Sequence, residues 1–183
     1  GCGNDIKSEN FMAGKLIIDS CAYWVKNYDV DGFRFDLMGL IDSKTMLAAY
    51  KACKKIKNNM LFIGEGWKMY NGAAGTVGMD QRQAENTNNI AVFNDELRDS
   101  IKAGGMNEEA TVFITGKTTV DALLFTNIIG QPKYNYKADD PGDNVQYLVC
   151  HDGLTLHDSI FHNAKLDENN PDQKAEGIKR IKM

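Results

Sequence analysis

Apolar residues follow two alternating patterns along the chain, helical spacing in some segments and short continuous runs in others. From residue 8 to residue 27 they recur every three or four positions, which predicts a helix of about five turns with Ser8 as its N-terminal cap. The other predicted elements are, in chain order, strand 30–36, helix 45–57, strand 60–64, strand 90–93, helix 95–103, strand 145–150 and helix 155–165.

Strands that alternate with helices predict an α/β fold, in which helical crossovers connect the strands of a parallel sheet. Two stretches interrupt this alternation. Residues 69–89 are rich in Gly, Asn and Gln and are typical of a long loop, and residues 111–143 combine irregular strand-like pieces with turns rich in Gly, Pro and Asp. We interpret the second stretch as an insertion of the kind that carries specificity in α/β barrels.

The composition is typical of a soluble globular domain, with 43% hydrophobic and 25% charged residues among 183 and a net charge of −4. This balance argues against a nucleic-acid partner, because phosphate binding needs lysine and arginine concentrated on one face. No apolar run reaches the roughly twenty residues of a membrane span, so we expect no membrane association, and the compartment stays open. The four cysteines are widely and irregularly spaced, which predicts reduced thiols.

An acidic residue stands at or just after the end of three predicted strands: Asp36, Glu65 and Asp152. In α/β barrels the catalytic groups lie at the carboxyl ends of the strands. Arg34 shares a strand face with Asp36, and a neighbouring guanidinium keeps a carboxylate ionised, as a nucleophile requires. Glu65 lies beside apolar residues and Trp67, and such surroundings favour the protonated form that a general acid needs.

Each of these residues also has a purely structural interpretation. Arg34 and Asp36 can form an ion pair that closes a layer of a barrel, and Glu65 can be a solvated residue at a strand end. Trp67 can be a core aromatic instead of a sugar-stacking one, and Asp152 can be a helix cap. In combination, however, one ionised carboxylate, one protonated acid and one further carboxylate are the groups that retaining glycosidic cleavage uses. The chain has no Gly-x-Ser-x-Gly signature and no histidine pair at metal-binding spacing.

These segments resemble conserved regions of a known enzyme family. Asp-Gly-Phe-Arg-Phe-Asp-Leu-Met-Gly at residues 31–39, Gly-Glu-Gly-Trp at residues 64–67 and His151-Asp152 are similar to regions two, three and four of the α-amylase superfamily, glycoside hydrolase family thirteen. The first two most resemble the type I pullulanases, which debranch starch. Gly-Cys-Gly-Asn-Asp at residues 1–5 and Val-Phe-Asn-Asp-Glu-Leu-Arg at residues 92–98 extend the resemblance to essentially the whole chain.

The resemblance implies a partial TIM (β/α)8 barrel, roughly strands four to seven with their helices and a long loop insertion. Residues 1–183 would form a single segment of the catalytic barrel that is incomplete at both ends. The resemblance also implies that Asp36 is the nucleophile, Glu65 the general acid/base and Asp152 the transition-state stabiliser. Arg34 and His151 would position the substrate.

The implied activity is hydrolysis of α-1,6-glucosidic branch linkages in pullulan, glycogen or starch-derived dextrins. The partners would be an α-glucan polysaccharide as substrate and the remainder of the barrel. The chemistry needs no cofactor, and a structural calcium ion is left open. Since the family's first conserved region is absent, we expect these 183 residues alone to hydrolyse no α-glucan.

Two positions depart from the pullulanase pattern: Gly153, where many pullulanases have asparagine, and His157, where tryptophan is frequent. They weaken the choice of pullulan over glycogen or limit dextrin, though not the choice of the α-1,6 bond. Alternatives on the same scaffold are an α-glucanotransferase and an isoamylase-like glycogen debranching enzyme. An alternative of another class is a non-catalytic carbohydrate-binding segment.

Overall fold

A computed structural model of the chain describes residues 4–105, 107–117 and 121–183, in which helices and strands alternate from α1 to α4. Within these residues the α-helices are α1 (Phe11–Tyr28), α2 (Ser43–Ile56), α3 (Ala84–Thr87), α4 (Asp95–Ile101), α5 (Asp121–Ile128), α6 (Leu156–Asn163) and α7 (Pro171–Ile181). The strands are β1 (Gly32–Phe35), β2 (Leu61–Gly64), β3 (Ile90–Phe93) and β4 (Asn144–Val145). Residues 1–3, which include Cys2 and part of one motif behind the family resemblance, lie outside the described residues.

The strands of the described residues form one sheet in the order β1-β2-β3-β4, and every neighbouring pair is parallel. The register places Phe35 opposite Gly64, Gly64 opposite Val92, and Val92 opposite Asn144. Sequence order and spatial order are therefore the same, as in a sheet built by successive strand–helix units. The predicted α/β fold with a parallel sheet is confirmed.

The chain divides into two compact units. The first comprises the chain up to Phe93 together with Tyr136–Val145, and it contains the whole sheet. Its core lies between the sheet and helices α1 and α2, with Phe62 of β2 fully buried. The rings of Phe33 and Phe35 pack on Phe62, with centroids 5.5 and 5.2 Å away. Burial of each such side chain contributes about 1.5–3 kcal/mol to folding.

The second unit comprises Asn94–Asn135 and Gln146–Met183. Its core is a smaller apolar cluster, formed chiefly by Ile160 and Phe161 of α6 with Val112 and Ile114. Helices α6 and α7 pack on each other and on the short 3-10 turn at Phe113–Thr115. Residue 106 and residues 118–120 lie outside the described residues, and the latter fall in the stretch interpreted as an insertion.

The predicted start of the first helix is wrong. The helix begins at Phe11 after Asn10, and Ser8 caps nothing. Ser8 is instead buried, and its Oγ accepts a hydrogen bond from the backbone N–H of Asp42 over 2.7 Å. Asp42 itself caps α2, because its carboxylate accepts from the N–H of Thr45.

Two predictions in the second half of the chain are also wrong, and one helix was missed. The strand predicted over residues 145–150 is reduced to Asn144–Val145, after which the chain leaves the sheet. The strand-like pieces predicted over residues 111–143 include α5, because apolar residues in a short run do not distinguish helix from strand. Helix α7 was not predicted, although Asn170 caps it and Pro171 opens it.

Candidate active site

Asp36 and Glu65 directly follow two neighbouring parallel strands. Because Phe35 pairs with Gly64 across β1 and β2, the next residue of each chain segment leaves the sheet at the same edge. Phe35 points into the core, so Arg34 faces the opposite side of β1, where its guanidinium lies 5.9 Å from the ring centre of Phe93. The structure thus brings a cation and two carboxylates to the carboxyl edge of the sheet.

Arg34 bridges the two acids. Its Nη1 donates to Asp36 Oδ1 and its Nη2 donates to Glu65 Oε1, each over 2.6 Å. The hydrogen bond with Asp36, together with the charge of Glu65, raises the pKa of Arg34 above its ordinary value. A carboxylate oxygen of Asp36 lies within 4.8 Å of one of Glu65. Arg34 therefore offsets two negative charges that would otherwise repel each other at short range.

The two carboxylates have different surroundings. The side chain of Asp36 is 71% exposed and that of Glu65 only 12%. The second oxygen of Glu65 accepts a hydrogen bond from the backbone N–H of Leu37 over 2.8 Å. The sequence predicted apolar surroundings for Glu65, whereas its contacts in the structure are a guanidinium and a backbone amide.

Leu37 adopts a left-handed backbone conformation with φ of 43°. A bulky residue with positive φ is uncommon, because its Cβ crowds the backbone. The conformation places the Leu37 N–H on Glu65. Such strain costs about 1–3 kcal/mol and is typical of functional sites. No side-chain property of leucine could have indicated this role from the sequence.

The segment after β1 packs tightly on the segment after β2. The N–H of Gly39 donates to the carbonyl of Glu65 over 2.9 Å, and a Cβ at Gly39 would lie only 1.9 Å from the carbonyl oxygen of Trp67. Glycine is therefore required at position 39 for this approach. Trp67 is half-buried. Its predicted role in sugar stacking stays a prediction.

His151 and Asp152 lie in the second unit, after the end of β4. His151 Nε2 and Asp152 Oδ2 are 3.4 Å apart, and their side chains are 62% and 78% exposed. The thiol of Cys150 donates to the carbonyl of Asp152 over 3.6 Å. The structural alternative for Asp152, a helix cap, does not apply, because Thr155 caps α6 through its hydroxyl.

Polar contacts hold the chain just before His151. Arg98 Nη1 donates to the hydroxyl of Tyr147 over 2.8 Å, and its guanidinium lies 5.7 Å from the centre of that ring. Burial raises the pKa of Tyr147 to about 12. Asn94 donates to the side-chain oxygens of Asn127 and Gln146, each over 2.8 Å. The sequence singled out residues 92–98 only as part of the resemblance. The structure shows that this segment holds residues 146 and 147, which lead to His151.

Known proteins are similar to this chain over nearly all of its length. Pullulanase A of Streptococcus pneumoniae serotype 4 is 39% identical over 183 residues, which cover 99% of this chain and 14% of that protein. The product complex of the multi-modular glycogen-degrading pneumococcal virulence factor SpuA matches with a TM-score of 0.92 and 39% identity, covering 97% of this chain and 18% of that one. The type I pullulanase of Bacillus subtilis complexed with maltose matches with a TM-score of 0.82 and 30% identity, covering 98% of this chain and 26% of that one. No family model matches the chain.

The parallel sheet and these matches identify the fold as part of the TIM barrel of pullulanase catalytic modules, as predicted. The chain is homologous to a segment of the type I pullulanases, a branch of the α-amylase superfamily. It spans 14% of the length of pullulanase A, so its match concerns only that part of the enzyme. None of the helices among the described residues has both the length and the apolar character of a membrane span.

Proposed function

We propose that the protein is a retaining glycoside hydrolase that cleaves α-1,6-glucosidic branch linkages in α-glucans such as pullulan, glycogen or starch-derived dextrins. One observation carries the proposal: two carboxylates at the ends of neighbouring parallel strands, bridged by one arginine. The names of the relatives, pullulanase and glycogen-degrading factor, supply the substrate class.

The short separation of the acids supports a retaining mechanism. Retaining glycosidases hold their carboxyl groups about 5 to 5.5 Å apart, and inverting ones about 6.5 to 9.5 Å apart. Oxygens of Asp36 and Glu65 approach within 4.8 Å. This close approach favours direct attack by a carboxylate over attack by a water molecule held between a base and the anomeric carbon.

In the proposed reaction a carboxylate oxygen of Asp36 attacks the anomeric carbon, and Glu65 protonates the departing glycosidic oxygen. The bond between Asp36 and the sugar is then hydrolysed by a water molecule whose proton returns to Glu65. Arg34 fixes the relative position of the two carboxylates through hydrogen bonds from Nη1 and Nη2. Asp152 and His151 are proposed to stabilise the transition state and position sugar hydroxyls. The reaction uses only protein side chains and requires no cofactor.

Product analysis tests this proposal. The natural protein that contains these 183 residues is incubated with pullulan and with a maltotriosyl-branched dextrin, with and without an added glucan acceptor. Hydrolysis releases one reducing end for each α-1,6 bond broken and leaves the acceptor unchanged. Conservation of reducing ends with extension of the acceptor would instead identify a glucanotransferase. Binding of the dextrin without any bond cleavage would identify a non-catalytic carbohydrate-binding protein.

A further inference from the structure

Glu108 contacts the loop that carries Asp152. One oxygen of its carboxylate, Oε2, accepts a hydrogen bond from the backbone N–H of Leu154 over 2.7 Å. Leu154 is two residues after Asp152 and 46 residues after Glu108 in the chain. Glu108 belongs to none of the three acidic motifs.

Gly153 allows Glu108 to come this close. Its φ is +78°, a conformation that residues other than glycine rarely adopt. A Cβ at position 153 would lie 2.1 Å from Oε1 and 2.9 Å from Cδ of Glu108. A side chain at this position and the observed place of Glu108 therefore exclude each other.

Contacts of both its side chain and its backbone fix the position of Glu108. Its Oε1 lies 3.7 Å from the Nζ atom of Lys102, whose side chain is only 2% exposed. The carbonyl of Glu108 accepts a hydrogen bond from the side-chain amide of Asn163 over 2.7 Å. A buried ammonium needs a negative partner, so the side chain of Glu108 is favoured in this one position.

The side chains of His151 and Asp152 are largely exposed, and Nε2 of His151 lies 3.4 Å from Oδ2 of Asp152. The thiol of Cys150 donates to the backbone carbonyl of Asp152. The position of Asp152 therefore depends on how the backbone on either side of it is held. On the carboxyl side, the hydrogen bond from Leu154 to Glu108 provides that support.

We propose that Glu108 is a positioning residue for Asp152 and that Gly153 is its required partner. This role rests on the proposed function, in which Asp152 stabilises the transition state. It also gives a physical reason for glycine instead of asparagine at position 153, since a side chain there would clash with the carboxylate of Glu108. A protein with asparagine at 153 would need a different residue or rotamer at 108.

The first test uses three variants of the natural protein that contains this chain. Glu108→Ala is expected to speed hydrogen exchange of the Leu154 amide at least tenfold and to lower kcat on pullulan about tenfold, with KM little changed, since the backbone N–H of Leu154 loses its charged acceptor. Glu108→Gln keeps an oxygen that accepts from Leu154 but loses the charge that faces Lys102, so both changes are expected to be smaller than in Glu108→Ala. Glu109→Ala, which removes a neighbouring and 81% exposed carboxylate, is the matched control and changes neither value.

The second test is a double-mutant cycle. Gly153→Asn alone places its Cβ on Glu108, and we expect a larger loss of kcat than in Glu108→Ala. Combining the two substitutions removes the clash, so the double variant should recover the activity of Glu108→Ala. Losses that simply multiply would show that positions 108 and 153 are independent.

Two outcomes separate this inference from the proposed function. An active protein in which Glu108→Ala leaves both kcat and Leu154 exchange unchanged would overturn the positioning role alone. A protein that cleaves no α-glucan would overturn the proposed function and with it the role of Glu108 in catalysis. If Glu108→Ala fails to fold, equal kcat and exchange rates in Gly153→Asn and the unmodified protein would overturn the inference.

Discussion

The two acids of the sheet edge and the acid of the second unit differ in how their carboxylates are held. Asp36 and Glu65 follow paired strands of the first unit, and Arg34 ties them together. Asp152, in the second unit, follows residues that pair with no strand in the described part of the chain, and its side chain is largely exposed. A strand ladder fixes the place of an acid through its own backbone, whereas a loop must be held by polar contacts on either side.

This difference matches the different roles proposed for the three acids. The bond formation and proton transfer proposed for Asp36 and Glu65 need a fixed relative geometry, and these residues lie where the sheet enforces it. Asp152, the proposed transition-state stabiliser, lies in a segment whose flanking residues are held by contacts from Arg98, Asn94 and Glu108. Substitutions can therefore remove the chemistry of the first pair or loosen the support of the third acid.

The largest effect is expected from removing the acids of the sheet edge. Asp36→Asn and Glu65→Gln should each lower kcat on pullulan by several orders of magnitude, since general acid catalysis alone is worth about 100- to 10,000-fold. Substrate binding should persist in both variants, because attack and protonation are transition-state functions. Steady-state kinetics and calorimetric titration with maltotetraose measure the two quantities.

Asp31→Asn is the matched control for this pair. Asp31 directly precedes β1 at the amino end of the strand. Its side chain is 87% exposed, and its Oδ1 lies 2.6 Å from Nζ of Lys57. Its loss should leave kcat unchanged. Residual activity within about tenfold of the unmodified protein in Asp36→Asn, a barrier change of only about 1.4 kcal/mol, would refute the assigned role.

A smaller effect is expected from Arg34→Lys. Lysine keeps the charge, but its single ammonium cannot present two nitrogens in a fixed fork to Asp36 and Glu65. We expect kcat/KM to fall about 100-fold, equivalent to about 2.7 kcal/mol, with an unchanged melting temperature. Activity close to that of the unmodified protein would mean that charge alone, and not the bridge, is needed at the sheet edge.

In the second unit, Glu96→Gln should cost stability. The buried carboxylate of Glu96 accepts hydrogen bonds from the side chain of Asn127 over 2.6 Å and from the backbone N–H groups of Tyr134 and Asn135 over 3.0 and 2.5 Å. An amide NH2 in this place would face other donors, and a buried unsatisfied donor costs about 1–3 kcal/mol.

Urea unfolding followed by fluorescence measures this loss. Glu109→Gln, at an exposed position of the same unit, is expected to leave the free energy of unfolding within about 0.5 kcal/mol of the unmodified value. Equal unfolding midpoints for Glu96→Gln and the unmodified protein would show that the carboxylate does not hold this loop.

The smallest effect concerns the pH dependence of stability in the first unit. Burial raises the pKa of Asp143, and one of its oxygens has no hydrogen-bond partner. The folded protein therefore binds the proton more tightly than the unfolded chain does. The resulting contribution to stability is present below the ordinary aspartate pKa and is lost as the pH rises through the higher pKa of the folded state.

Asp143→Asn removes this titration. We expect the variant to melt at a higher temperature than the unmodified protein at pH 7 and at nearly the same temperature at pH 4. Thermal unfolding at the two pH values measures the difference. A melting temperature lowered equally at both values would indicate that the carboxylate is needed for the turn at Pro141–Asp143 and does not act through its charge.

Much of the sheet edge could be predicted from the sequence. The short apolar runs that became β1, β2 and β3 lie where they were predicted, because each is a largely apolar stretch that ends at or directly before a glycine or polar residue. Since an acid directly follows β1 and β2, its place at the carboxyl edge follows from the strand itself. The meeting of Asp36 with Glu65 needed only the further assumption that successive strands pair.

The second unit was predicted less well. The run at residues 145–150 looks like a strand, yet Gln146 and Tyr147 are engaged by Asn94 and Arg98 and the sheet ends at Val145. Helix α5 forms in a stretch with strand-like composition, where its buried Asn127 joins Asn94 and Glu96 in one hydrogen-bond network. Such partners override local propensity, and no local pattern announces them.

The sequence by itself determined the α/β alternation, the acids at the strand ends and the family resemblance, because apolar periodicity and short motifs are local properties of the chain. Only the tertiary structure decided that Leu37 turns its N–H to Glu65, that Arg34 reaches both acids, and that Glu108 supports a loop 46 residues further on. These contacts depend on backbone conformation and on distances across the fold, which hydrogen-bond geometry tolerates only within a few tenths of an ångström.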